Sequence, residues 1–138
     1  MAGPTNIFDV AGRAMSAQMV RLNSVASNLA NADSVSTTKD GAYRAIRPVF
    51  EASYSDATLK SGLATVDVAE IVALDREPTR IFRPDHPLAD REGYVFQANV
   101  DQDEEMVEMM EANRQYQNTV SVVSTMRTLM MRTLNMGR

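Results

Sequence analysis

Apolar side chains recur at alternating three- and four-residue steps in two stretches of the chain, one towards each end. The first series is Phe8, Ala11, Met15, Gln18, Leu22, Val25 and Leu29, with Gln18 as its one polar member. This is a/d heptad spacing over about three heptads, and it predicts a helix from about residue 6 to about residue 30 with one stripe built to be covered. The second series is Met106, Met109, Asn113, Tyr116, Val120, Val123, Arg127, Met130 and Leu134. It predicts a helix of roughly 33 residues, about 50 Å long at 1.5 Å per residue, longer than a small globular domain can cover.

Breakers divide the chain at the same places. Four of the five prolines (Pro48, Pro78, Pro84, Pro87) and three of the six glycines (Gly41, Gly62, Gly93) lie between positions 41 and 93, while positions 5–32 and 100–136 contain no proline and only Gly12. Breakers stop helices, so the distribution predicts helix, β or irregular middle, helix. Asn6 with Asp9, and Asp101 with Glu104, have the spacing of capping boxes, and Asn31 is suited to a left-handed helix stop. Asp101, Asp103, Glu104, Glu105, Glu108 and Glu111 crowd the start of the second helix, and Arg127, Arg132 and Arg138 lie towards its end, opposing the helix dipole. Within the middle, 43–50 and 64–74 alternate or run in β-branched residues, and 79–82 and 94–96 are shorter candidates. Turns are expected at 39–42 and 60–63, and Pro48 and Pro78 call for edge strands or strand ends.

The expected fold is therefore mainly α with a small β region: long N- and C-terminal helices pairing as a coiled coil, with a β-rich segment inserted between them. The divisions fall at 1–32 for the first helix, 33–99 for the loop and β segment, and 100–138 for the last helix.

Composition adds mostly exclusions. The formal charge is −4 with Lys and Arg scattered, so no nucleic-acid partner is indicated. With no Cys, disulfides and thiolate metal sites are unavailable. No stretch approaches the roughly 20 apolar residues of a membrane span, so no membrane insertion is expected. Residues 1–9 lack a basic n-region, and Asp9, Arg13 and Gln18 interrupt any apolar core, so no cleavable signal is expected.

Candidate chemistry is sparse. His86 is the only histidine, set among prolines with no neighbouring nucleophile in sequence. The acidic run 101–105 fails as an EF-hand, because position six is Met106 and position twelve is Ala112 where glycine and glutamate are required. No phosphate loop and no nucleophile elbow occurs. Neither a catalytic, cofactor nor metal site is expected.

The methionines are more informative. Seven of the ten fall at 106–136, and they occupy more than one helical face: Met106, Met109 and Met130 on the seam, Met110, Met126 and Met131 beside it. A helix apolar over so wide an arc needs covering on several sides, more than one short helix supplies. Methionine also adapts to non-identical neighbours. The expected interface is Phe8, Met15, Gln18, Leu22, Val25, Leu29, Met106, Met109, Met110, Asn113, Tyr116, Val120, Val123, Met126, Met130 and Leu134.

At this point the motifs resemble a known family. Asn6-Ile-Phe-Asp9 followed by Ser27-Asn-Leu-Ala-Asn-Ala32 is similar to the N-terminal signature of flagellar rod and hook subunits. Asn99-Val-Asp101, Glu105-Met106 and Asn113-Arg-Gln-Tyr116 resemble the start of their last helix, and Gly41-Ala-Tyr-Arg44, Pro87-Leu-Ala-Asp90 and Gly93-Tyr-Val95 narrow the resemblance to the proximal-rod type. It covers essentially the whole chain. Two features depart: Ala98 stands where proline is usual before Asn-Val-Asp, and the loop 33–40 is longer than in distal rod or hook members.

The resemblance implies a structural, non-enzymatic subunit of the bacterial flagellum, exported unfolded by the flagellar type III apparatus without a cleaved signal and assembled helically in the periplasm. It implies terminal helices lining the export channel, with the middle segment packed outside. The implied partners are other copies of the chain, the rod proteins FlgB, FlgF and FlgG, and FliE, the adaptor from rod to membrane ring. An exposed seam also implies terminal helices that stay unordered until neighbours bury them, with Gln18, Asn113 and Arg127 setting register. The rival reading is a coiled-coil adaptor or secretion chaperone that binds one partner and never polymerises.

Overall fold

The computed structural model describes residues 7–53 and 64–137. Helix α1 is Ile7–Ala30; five strands follow, β1 Val35–Ser36, β2 Ile46–Ser53, β3 Thr65–Ala73, β4 Thr79–Phe82 and β5 Tyr94–Gln97; helix α2, Gln102–Met136, closes the chain. The helix, β-rich middle, helix order is the one the breakers predict. Asn6 as a cap, the turn at 60–63 and Arg138 lie outside the described residues.

The middle splits into two small sheets. Strands β2 and β3 form an antiparallel two-stranded hairpin, with Ile46 opposite Ala73 and Ser53 opposite Thr65. The register shifts at Val49/Phe50, which places an extra residue, Ala69, on β3 as a bulge. Pro48 sits inside β2, which is tolerable because both strands of a pair are edges. Strands β1, β5 and β4 form the other sheet, antiparallel in that order. Its 83–93 connection returns through Gly93 at φ +83°, where a Cβ would also lie 2.9 Å from the Phe82 ring. Phe82 and Tyr94 meet edge to face, and Arg80 stacks on the Tyr94 ring.

The helix ends differ in part from expectation. Asp101 caps α2, accepting from the Asp103 and Glu104 amides. The reciprocal half of a capping box is missing, because the Glu104 carboxylate is taken by Arg76. Asn31 does not end α1 in a left-handed conformation: no described non-glycine residue has positive φ. Its side chain instead donates to the Ser27 carbonyl at 2.8 Å, and its amide closes on the same carbonyl at 3.2 Å. The last turn of α2 has no basic residue, so Arg132 sits too far back for the dipole to reward it.

The two departures from the family pattern have local explanations. Ala98 is buried, and its amide donates to the Ser34 carbonyl at 3.0 Å, a bond that proline could not make. The 33–40 loop is tied by β1 pairing with β5 and by the Ser36 and Thr38 hydroxyls, which accept from the amides of Thr38 and Gly41. A Cβ at Gly41 would come within 2.7 Å of the Ser36 hydroxyl and 2.9 Å of the Thr38 hydroxyl and would push these two aside.

Candidate assembly interface

The two helices run antiparallel. Asn28 meets Glu105, Arg21 meets Glu108 and Gln18 meets Gln115, while Ile7, Val10 and Ala11 flank the same groove as Asn118, Thr119 and Val122. Position numbers fall along α1 as they rise along α2. Past Ile7 the last 14 residues of α2 continue for about 20 Å.

The helices face each other along lines that differ from the expected seams by one residue. On α2 the covered series is Glu105, Met109, Ala112, Tyr116, Thr119, Val123 and Met126, whereas Met106, Asn113, Val120 and Arg127 are exposed. On α1 the partners of α2 are Ile7, Ala11, Ala14, Gln18, Arg21 and Asn28. One line of each heptad seam holds; the other moves back by a single position.

The cause is a buried polar clasp at the closed end of the pair. Glu105 is 1% exposed and Asn28 fully buried. Arg47 from β2 grips the Glu105 carboxylate with both terminal nitrogens at 2.7 Å. The Asn28 amide donates to Glu105 Oε2 and to the Ile46 carbonyl, each at 3.0 Å. Its Oδ1 accepts from the Ile46 amide at 2.8 Å and from the Tyr43 hydroxyl at 3.0 Å. Since Leu74 N donates to Ala45 O, the Ile46 backbone groups point away from β3, and Asn28 completes the ladder on that free edge. A carboxylate in such a place is tolerable only because every oxygen is bonded, and stripping one partner from a buried pair typically costs about 3–5 kcal/mol.

A second tier of charges surrounds the clasp. Arg76 pairs with Glu104 at 2.8 Å, and Arg47 reaches the same carboxylate at 3.4 Å. The Arg76 hydrogen bond holds Glu104 below the usual glutamate range, and the Glu105 hydrogen bond raises Arg47 above the usual arginine value. Arg13 pairs with Asp67 at 2.9 Å, tying α1 to β3. Here the acids at the start of α2 are working as partners of arginines more than as complements of the dipole.

Successive helix positions are 100° apart. The residues reaching the hairpin, Arg13 on α1 and Glu104 on α2, lie on one flank of the facing lines. Phe8, Met15, Leu22 and Leu29 follow Ile7, Ala14, Arg21 and Asn28 by one step and turn to the opposite flank, where they are half-buried. Because the helices are antiparallel, Met106, Asn113 and Val120 turn to that same side. Met106 is 56% and Met110 63% exposed. Among the three polar seam residues only Gln18 reaches the other helix; Asn113 accepts from Gln117 in its own helix. Gln18 Oε1 is buried without a hydrogen-bond partner.

Beyond α1 a second apolar surface opens, a groove of about 400 Å³ lined by Met126, Leu129, Met130, Thr133 and Leu134. Leu134 is 68% exposed. Val25 is buried, and Met109, Tyr116, Val123 and Met126 are half-buried. The terminal helices are clasped at one end, and what remains uncovered is one flank and the far half of α2.

The clasp also brings together the two segments that carry the family signature. A family model described as flagella basal body rod protein matches residues 8–36, and one described as flagellar basal body rod FlgEFG protein C-terminal matches residues 91–136. The flagellar basal-body rod protein FlgC of Escherichia coli O6:H1 is 44% identical over 133 residues, covering 96% of this chain and 97% of its own. That of Yersinia enterocolitica shares the same identity and coverage, and that of Salmonella typhimurium is 43% identical over the same span. The chain belongs to the FlgC family of flagellar basal-body rod proteins. It is a structural subunit of the rod in the flagellar basal body. Asn28 lies in the first matched segment and Glu105 in the second, so the hydrogen bond between them joins the two matched ends of the chain directly.

Two other features lead elsewhere. His86 Nδ1 accepts from the Leu88 amide within its own loop, so the imidazole is committed to holding a turn. Among the described residues no group of three His, Cys, Asp or Glu could hold a metal ion, and no helix is long and apolar enough to cross a membrane.

Proposed function

We propose that copies of this chain assemble helically through their terminal helices into the proximal rod, forming part of the drive shaft and of the export channel. The observation that carries this reading is the double apolar surface of α2: the flank with Met106, Met110 and Val120, and the distal groove from Met126 to Leu134. A monomer rarely leaves so much aliphatic surface open, and surfaces facing different directions suit neighbours in a helical lattice, where contacts do not close on themselves. The interface comprises the seam residues from Phe8 to Leu29 and from Met106 to Leu134, and the helices tighten into a coiled coil once neighbours cover them.

In this reading residues 1–32 and 100–138 form the rod core, and 33–99 packs outside it. The partners are other copies, FlgB, FlgF and FlgG, the adaptor FliE and the flagellar type III export apparatus, which delivers the chain to the periplasm without a cleaved signal. The chain performs no catalysis and needs no cofactor.

The test is sedimentation of the full chain across a concentration series, beside Met110→Asp and Leu134→Asp. Growth of polymers by the wild type and their loss in both variants supports the reading. A complex of fixed stoichiometry with one partner, and no polymer, contradicts it and favours the adaptor.

A further inference from the structure

Two ways of pairing α1 with α2 compete within this sequence. The more apolar one places Phe8, Met15, Leu22 and Leu29 against Met106, Asn113 and Val120, the pairing that periodicity alone expects. The observed one places Arg21, Gln18 and Asn28 against Glu108, Gln115 and Glu105. Each helix is turned from one to the other by no more than a single residue step of 100°. Burial of apolar area, at about 25 cal/mol per Å², favours the first pairing in an isolated chain. Something must hold the second.

We infer that Glu105 and Asn28 are positioning residues that hold the helices in the polar register, and so keep the apolar flank turned outward for assembly. Only in the observed register does the Glu105 carboxylate meet Arg47 and Asn28 together; rotating α2 to bury Met106 takes it from Asn28, turns it to the flank Glu104 now holds and carries Glu104 off Arg76. Leaving the buried Asn28 amide without Glu105 and pulling Glu104 off Arg76 outweighs the gain from covering a few methionines. The arrangement works by excluding a competing state, as a polar residue does when it fixes coiled-coil register. Ala112, fully buried one turn-pair further along, marks the face so selected. This inference deepens the assembly reading, giving the reason the subunit does not hide its own interface.

The chain has no cysteine, so single thiols report the register directly. Met106→Cys, Val120→Cys and Ala112→Cys are made singly, in the wild type and in Glu105→Leu, and alkylation is timed in dilute monomer. In the wild-type background the thiols at 106 and 120 react at least about tenfold faster than the thiol at 112, because reaction follows exposure. In Glu105→Leu the contrast collapses or reverses, with helix content by circular dichroism retained. An unchanged contrast in a helical Glu105→Leu overturns the inference. If that variant loses its helix content, Glu105→Gln is read instead: it loses the ion pair but keeps the size and a bond to Asn28. A fall of about twofold or more in the contrast is then expected, and no fall overturns the inference. These rates are read in monomer and are blind to polymerisation, so the assembly reading can stand when the inference fails, and the reverse.

Discussion

Replacing Asn28 with alanine removes a side chain that bonds α2, the start of β2 and Tyr43 together. Four hydrogen bonds disappear: two to the Ile46 backbone, one to Glu105 and one from Tyr43. They are not equal. Glu105 keeps both bonds from Arg47, and the Tyr43 hydroxyl keeps Ser27 at 3.2 Å. The Ile46 amide and carbonyl face away from β3 and lose their partner outright. A buried polar group left unpaired costs about 1–3 kcal/mol, so the loss is about 2–4 kcal/mol, softened if water enters the space. For a chain of this size that is a fall in Tm of roughly 6–12 °C. Asn28→Asp is the sharper companion: it keeps the shape but puts an oxygen where Nδ2 stood, 3.0 Å from Glu105 Oε2. It is expected to be worse than alanine at neutral pH and to recover as acid protonates one of the two carboxylates. Urea and thermal melts of both variants at neutral and mildly acidic pH make the measurement. A loss under about 1 kcal/mol for alanine, or an aspartate variant no worse than alanine at neutral pH, refutes the reasoning.

Further expectations follow from other parts of the structure. Glu104 is held below the ordinary glutamate range by Arg76, so its contribution is present above the unfolded-state value and is lost as pH falls through the folded one. Acid titration of stability should therefore be shallower in Arg76→Met than in wild type; equal slopes contradict that assignment. Gly93→Ala is strained by its φ and by the Phe82 ring, and should cost about 1–3 kcal/mol while leaving the α1–α2 contacts in a nuclear magnetic resonance spectrum unmoved. Leu134→Asp lies on exposed surface and should change monomer stability by under about 0.5 kcal/mol while abolishing polymer formation; a large stability loss would place the residue in a core instead. Amide exchange should be slow around Val25, Asn28 and Ala112 and fast across 124–136, and uniform protection along α2 contradicts the view that its far half awaits partners.

Periodicity carried the sequence a long way here, and its failure is specific. Both helices and all four longer strands are legible, because breakers and β-branched runs are local signals, although the strand expected at 43–50 lies three residues later, at Ile46–Ser53. The facing lines lie one residue from the most apolar ones because polar groups, not hydrophobicity alone, decide what these helices bury in each other. In this chain the most apolar lines are not the ones that meet. The deciding groups, Asn28 and Glu105, are polar and sit one position off the expected seams, beside Leu29 and Met106. Both lie inside segments that carry the family resemblance, which was the one available clue. Their joint role depends on Arg47 arriving from a strand 58 positions before Glu105, a contact no periodicity encodes. Register in the hairpin was hidden for a similar reason: the bulge opposite Val49 and Phe50 leaves no composition signal.

The central claim is that the surfaces left open in the single chain are those at which rod subunits meet. An electron cryo-microscopy map of the assembled basal body, read at side-chain detail around α2, tests it most directly. The account predicts that Met106, Met110 and Val120, and the groove from Met126 to Leu134, are each covered by a neighbouring subunit, with the Asn28–Glu105–Arg47 clasp intact. A rod in which those residues face the channel or solvent, with contacts made through the β2–β3 hairpin alone, would contradict it.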